Sequence, residues 1–152
     1  DLNAMYRAEP ALYEVDFHWE GFEWVDLHDI DNSIISFYRM SEGRNSILLW
    51  VCNFTPVLHA NYHLGVQLGG TYQEIFNSDS ARYAGSGAGN PGPIYSQPGN
   101  YQGKPHVITL VIPPLAVVAF RLTNGAAPQQ PTAPTADQTI EAAPSTEIPA
   151  KK

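Results

Sequence analysis

The sequence predicts an all-β chain: an antiparallel β-sandwich of about seven strands, preceded by a short helical segment and followed by a disordered tail. Short β-prone runs recur along residues 22–122 with turn formers between them. One run, Ile47 to Cys52, holds six consecutive uncharged apolar residues and reads as a strand buried on both faces. Beyond residue 16 the chain offers little helical pattern for such strands to pack on.

Residues 1–16 place Leu2, Met5, Tyr6, Leu12, Tyr13 and Val15 at mixed helical spacing, interrupted by Pro10. Proline suits the first turn of a new helix better than a helix interior, so two short helical pieces are expected. Their apolar faces need a surface the chain itself scarcely supplies. The opening on Asp1 inside a helix-like pattern, with no initiator Met, is what a piece of a longer chain would show.

Phe17 to Gly21 turns the chain into Phe22-Glu-Trp-Val-Asp-Leu27, whose alternation of apolar and acidic residues fits a half-buried strand. After the loop His28 to Asn32, Ser33 to Met40 and the run beginning at Ser46 should pair antiparallel through Ser41-Glu-Gly-Arg-Asn45. Pro56 lacks an amide donor and ends that inner strand near Phe54. Leu58–Val66 and Tyr72–Phe76 follow, separated by Gly69-Gly70. Residues 77–103 are crowded with turn formers and read as one long loop, functional or pinned by specific contacts. His106–Ile112 and Leu115–Leu122 close the sandwich, giving divisions at 1–16, 17–123 and 124–152. The last of these is rich in Pro, Ala and Thr, with only Ile140 and Ile148 as large aliphatics, and cannot bury enough surface to order itself.

The balance of 8 Lys+Arg against 15 Asp+Glu, a net charge of −7, argues against nucleic acid or an anionic membrane surface as partner. No apolar run approaches the roughly 20 residues of a membrane helix, and the expected location is cytoplasmic. The single cysteine, Cys52, lies in the central strand and reads as a buried hydrophobe. It rules out a disulfide framework.

Among groups that carry chemistry, Glu23, Asp26, Asp29 and Asp31 fit a solvated face better than a catalytic pair. His59 and His63 are the one close pair among five histidines, and no third ligand accompanies them, so no metal site is expected. Gly85-Ser-Gly-Ala-Gly89 has neither the Lys-Ser/Thr nor the helix of a phosphate loop, and its glycines sit at the wrong offset for a nucleophile elbow. Asn53-Phe54-Thr55 matches a glycosylation sequon inside a buried strand and is set aside. No cofactor is indicated. The aromatic residues are the better candidates: Trp19, Trp24, Tyr83, Tyr95 and Tyr101 flank turns and loops, where flat rings suit the apolar face of a sugar. Trp50, within the central strand, is expected in the core.

Several segments together resemble the C-terminal end of bacterial-type glycogen branching enzymes, the 1,4-α-glucan branching enzymes of the α-amylase superfamily. These are Leu2-Asn-Ala-Met-Tyr-Arg7, Pro10-Ala-Leu-Tyr-Glu14, Gly21-Phe-Glu-Trp-Val-Asp26, Asp31-Asn-Ser33, Cys52-Asn-Phe-Thr-Pro56, Asn77-Ser-Asp79, Gly85-Ser-Gly-Ala-Gly-Asn90 and Leu110-Val-Ile-Pro-Pro-Leu115. The resemblance runs in register from residue 1 to about residue 122. The segment Leu58 to Tyr62 departs from it by lacking basic residues after Thr55-Pro56, and Gln97 to Asn100 looks like a variable loop.

The resemblance implies that residues 1–16 are a remnant of a catalytic (β/α)₈ barrel and that the remainder is the accessory C-terminal sandwich. It implies that the parent cleaves α-1,4-glucan by a retaining double displacement and rejoins it as α-1,6 branches in glycogen biosynthesis. The nucleophile and acid/base belong to the barrel, so no catalytic residue is assigned here and the isolated chain is expected to be inactive. The implied partners are the barrel of the same parent and, weakly, α-glucan. The candidate glucan contacts are Trp24, Glu23 and Trp19, with an autonomous glycogen or starch-binding module, or a purely structural domain, as the alternatives.

Overall fold

A computed structural model of the chain describes residues 1–123. The tail expected to be disordered, residues 124–152, lies outside the described residues.

Residues 1–12 form the two helical pieces expected from Pro10: α1, Leu2–Ala8, and a 3₁₀ turn, Pro10–Leu12, with the proline at its start. A second 3₁₀ turn, Trp19–Gly21, leads into the strands. They are β1 (Phe22–Asp29), β2 (Ile34–Met40), β3 (Ile47–Asn53), β4 (His59–Val66), β5 (Thr71–Asn77), β6 (Ile94–Tyr95), β7 (Gln97–Tyr101), β8 (Lys104–Ile112) and β9 (Val117–Thr123). Two antiparallel sheets result, a larger one ordered β1-β2-β3-β9-β5-β6 and a smaller one ordered β4-β8-β7. The seven expected strands are all present. The two additional ones, β6 and β7, occupy what the sequence presents as part of a long loop.

β3 lies between β2 and β9, as its uncharged run requires. Its side chains alternate between two buried environments. Leu49 and Val51 face the smaller sheet and join a core with Ile34, Tyr38 and Met40 of β2, Leu64 and Val66 of β4, Ile108, Leu110 and Ile112 of β8, and Val118 and Phe120 of β9. Leu48 and Cys52 point the other way and are buried too. Inside the core the Tyr38 hydroxyl meets that of Tyr72 at 2.9 Å, and Tyr72 donates to the Leu68 carbonyl at 2.6 Å. Both hydroxyls are thereby satisfied away from water.

The crossing from β3 to the smaller sheet is fastened by Asn53. Its amide donates to the carbonyls of Val57 and Pro113, and its oxygen accepts from Thr55 N and Oγ1. The sequon asparagine is thus wholly engaged in holding the chain.

Residues 1–16 are fastened to the larger sheet. The buried Glu9 carboxylate pairs with Arg121 of β9, while Arg39 of β2 reaches Asp16 at 2.7 Å and the Leu12 carbonyl at 3.5 Å. Asp1 is held by Arg82 and Tyr83 at 3.1 and 2.7 Å. The Pro10–Leu12 turn therefore covers one end of the sheet's outer face, with Ala11 wholly buried beneath it. α1 itself contributes no buried residue.

Candidate functional site: an aromatic sheet face and an edge cleft

Beyond the cover of residues 9–12, the outer face of the larger sheet carries a row of rings. Cross-strand register aligns Trp24 with Phe37, Phe37 with Trp50, Trp50 with Ala119, and Ala119 with Phe76. These are neighbours on β1, β2, β3, β9 and β5, so at about 4.8 Å per strand the row runs roughly 19 Å across the sheet. Phe22 stacks on Phe37 at 5.1 Å, Phe37 lies nearly parallel to Trp50 at 6.3 Å, and Trp50 meets Phe76 at 6.3 Å. Tyr83 extends the series beyond Phe76 at 6.1 Å. Ala119 is the one small member, and its short side chain lets the rings of Trp50 and Phe76 approach over it.

Trp24 ends the row on edge strand β1. It packs edge-on against Phe22 and Phe37 and remains 47% exposed. Trp50, expected in the core, instead lies on this outer face, because alternation from the buried Leu49 and Val51 turns it outward. Its indole nitrogen is buried without a hydrogen-bond partner.

The other two candidates lie elsewhere. Glu23 precedes Trp24 on β1, pairs with core-facing Tyr38 in register, and forms a 3.7 Å ion pair with Arg44. Trp19 is 77% exposed and lines a shallow hollow with Glu14, Ser41 and Arg44. Glu23 and Trp19 thus share Arg44 as a neighbour, whereas Trp24 looks out from the opposite side of its strand.

A second concave feature opens where β1 and β4 diverge at the sandwich edge, closed at one end by the β7–β8 turn. It is a cleft of about 970 Å³ lined by Trp24, Asp26, Asp29, Tyr62, His63 and Tyr101, among others. Gln102 spans it, accepting from Gly65 N and donating to Asp26, both at 2.9 Å. Tyr62 donates to Asp29 at 2.6 Å. Burial pushes the Asp29 carboxyl up, but hydrogen bonds from Tyr62 and Asn32 outweigh it and hold the group below its ordinary value. Desolvation raises the Tyr62 hydroxyl well above its ordinary value, and its bond to Asp29, which holds the proton in place, raises it further. The described residues contain no cluster of three or more His, Cys, Asp or Glu able to hold a metal ion.

Residues 24–123 match the family described as alpha amylase, C-terminal all-beta domain. The chain belongs to that family. It is 46% identical over 122 residues to the 1,4-alpha-glucan branching enzyme GlgB of Oceanobacillus iheyensis, covering 80% of this chain and 19% of that protein. The GlgB of Aquifex aeolicus is 48% identical over 121 residues, 80% of this chain and 19% of the relative. That of Nitrosococcus oceani is 45% identical over 134 residues, 88% and 18% respectively. The chain therefore spans less than a fifth of the length of these curated relatives.

In this α-amylase C-terminal domain the three candidates do not converge on one surface. Phe37, Trp50 and Phe76, which join Trp24 in a row, were not singled out together because their alignment depends on the register of four strand pairs. Gln102 carried no signal other than its place before Gly103 in a turn. As described, none of the domain's helices is long and apolar enough to cross a membrane.

Proposed function

We propose that this chain is the C-terminal sandwich of a 1,4-α-glucan branching enzyme acting in glycogen biosynthesis. It braces the catalytic domain through its aromatic face and touches glucan at Trp24. The observation that carries this reading is the aromatic row, in which Trp24 is exposed and Phe37, Trp50 and Phe76 are only partly buried by residues 1–123. Completing the burial of a half-exposed tryptophan removes about 100 Å² of largely apolar surface and contributes about 2.5 kcal/mol. A partner domain that covers Trp24, Phe37, Trp50 and Phe76 together would gain several such increments. The remaining four-fifths of a relative's length is ample for that partner.

The branching chemistry, glucan cleavage and transfer to a 6-hydroxyl, needs a nucleophilic carboxylate and an acid/base 5–5.5 Å apart in a substrate cleft, by the usual spacing of retaining enzymes. Here Asp29 is fully engaged by Asn32 and Tyr62, and Asp26 by His28 N and Gln102. The chain therefore supplies support and contact while the rest of the enzyme supplies turnover.

Electrophoresis in native gels containing glycogen tests the contact. Retardation of the chain that disappears in Trp24→Ala supports it, whereas equal retardation of both proteins removes Trp24 from the glucan surface. Formation of new α-1,6 linkages by the 152-residue chain alone would overturn the division of labour.

A further inference from the structure

One end of the sandwich exposes apolar side chains that its core leaves out. Three connections meet there: residues 30–33 between β1 and β2, residues 54–58 between β3 and β4, and residues 113–116 between β8 and β9. Hydrogen bonds knit them together. Phe54 N donates to the Ser33 carbonyl at 3.1 Å and Leu115 N to the Thr55 carbonyl at 2.8 Å, while the Asn53 amide joins the carbonyls of Val57 and Pro113. On this frame Ile30, Phe54, Val57, Leu58 and Leu115 are all half or more exposed. They leave on the order of 500 Å² of apolar surface, the size at which a monomer's largest patch is often functional. Leu115 adds a second cost, because it sits at φ +49°, a left-handed backbone that a bulky residue adopts only under strain. Glycine or asparagine would relieve that strain. A leucine kept there while 68% exposed points to a contact outside residues 1–123.

The charge around this patch is of one sign. None of the three connections carries a lysine or arginine, whereas Asp31 stands exposed beside Ile30 and enters no ion pair among the described residues, with Asp29 just before it. An apolar surface with an acidic rim suits an apolar segment that carries cations. A second copy of the chain fits poorly. Two such patches would bury on the order of 1,000 Å², under the roughly 1,200–2,000 Å² of stable interfaces, and their pairing would bring like carboxylates together. A tethered segment needs far less area, because linkage holds it at a millimolar effective concentration.

The sequence beyond Thr123 contains one stretch of that chemistry. Its two large aliphatic residues are Ile140, which stands between Asp137 and Glu141, and Ile148, in Glu147-Ile-Pro-Ala-Lys-Lys152. Lys151 and Lys152 are the only adjacent cations in the whole sequence, and they outnumber Glu147. The reach matches as well. β9 carries the chain from Val117, beside the patch, to Thr123, about 20 Å away at about 3.3 Å per residue. A linker of about 25 residues, the separation of Thr123 from Ile148, has a root-mean-square span of about 25–30 Å in the flexible limit, so it covers this distance without stretching. We propose that residues 148–152 dock in cis on the end patch, with Ile148 seated among Phe54, Val57 and Leu115 and the two lysines on the side of Asp29 and Asp31. The proposal stands independently of glucan binding.

Amide spectra of the 152-residue chain, recorded over a range of protein concentrations for the wild type, Ile148→Asp and Leu115→Asn, test the proposal. Ile148→Asp should shift the amides of Ile30, Phe54, Val57, Leu58 and Leu115 and leave those at the opposite end of the sandwich in place. Leu115→Asn should shift the amides of Ile148, Lys151 and Lys152 in return. Both sets of shifts should be independent of protein concentration. The urea midpoint of Leu115→Asn should hold or rise, since asparagine suits the left-handed backbone. A fall would show that the sandwich itself retains the leucine, which removes the reason for an outside contact. If Ile148→Asp moves no amide of the patch, residues 148–152 do not dock there. If the shifts scale with protein concentration, the patch takes a second copy and the proposal falls as well. None of these failures alters the glycogen-gel result expected for Trp24→Ala.

Discussion

Asp29 shows how a single side chain can set the acid limit of stability. Its native pKa is depressed, so the stabilisation it brings is complete above the unfolded carboxylate range near 4 and is lost as pH falls through the native value. Thermal melts between pH 6 and pH 2 should show Tm declining on the acid side, and Asp29→Asn should shallow that decline. Asp79, held down by its bonds from Ser86, titrates in the same direction and leaves part of the slope in place. A variant curve parallel to that of the wild type would remove Asp29 as a cause. On the alkaline side the tyrosines govern. Burial pushes Tyr38 up to about 12 and Tyr72 higher still, so their contribution is whole below the unfolded tyrosine range near 10 and disappears as pH rises above it. Tyr72→Phe deprives the Tyr38 hydroxyl and the Leu68 carbonyl of their partner and should cost about 1–3 kcal/mol in urea unfolding. A change below half a kcal/mol would mean that water fills the gap.

At the level of elements, residues 1–16 prove more tightly joined to the sandwich than their helical pattern implies. Arg121→Ala strands the Glu9 carboxylate under the Pro10–Leu12 turn. The expected loss is about 2–3 kcal/mol, below the usual figure for a broken buried pair because Arg121 is half exposed. Its midpoint in urea should fall accordingly, and an unchanged midpoint would show that the turn is held by Ala11 packing alone. The sequence made the strongest strands legible because burial leaves a compositional trace: β3 by its unbroken apolar run, β2 and β9 by β-prone runs broken only at Ser36, Arg39 and Arg121. β7 left no such trace. All five of its residues are exposed and one is Pro98, so no apolar alternation marked it and a residue without an amide donor argued against it. Pro98 is tolerated because β7 is an edge strand. The aromatic face was half legible. Trp24 announced itself beside acids, but Trp50 read as core, since a run that is apolar on both faces does not say which face meets the other sheet.

For the whole molecule, two faces of one sheet have different fates: the inner one is closed by the smaller sheet, the outer one only partly by residues 9–12. An isolated chain with such a face should self-associate. Its sedimentation coefficient should rise with concentration, and Trp24→Ser combined with Phe76→Ser should suppress the rise. A monomer persisting to millimolar concentration would sink this expectation. The central strand that separates these faces also carries the molecule's one thiol. Burial raises the pKa of Cys52 and keeps it from reagents, so an aromatic disulfide added to the native protein can react only in the moments when β3 comes free of its neighbours. When closing is faster than labelling, the reaction rate reads the equilibrium for opening; at saturating reagent it reads the opening step itself. The chain thus carries, without any engineered probe, a stopwatch set at the middle of its own sheet.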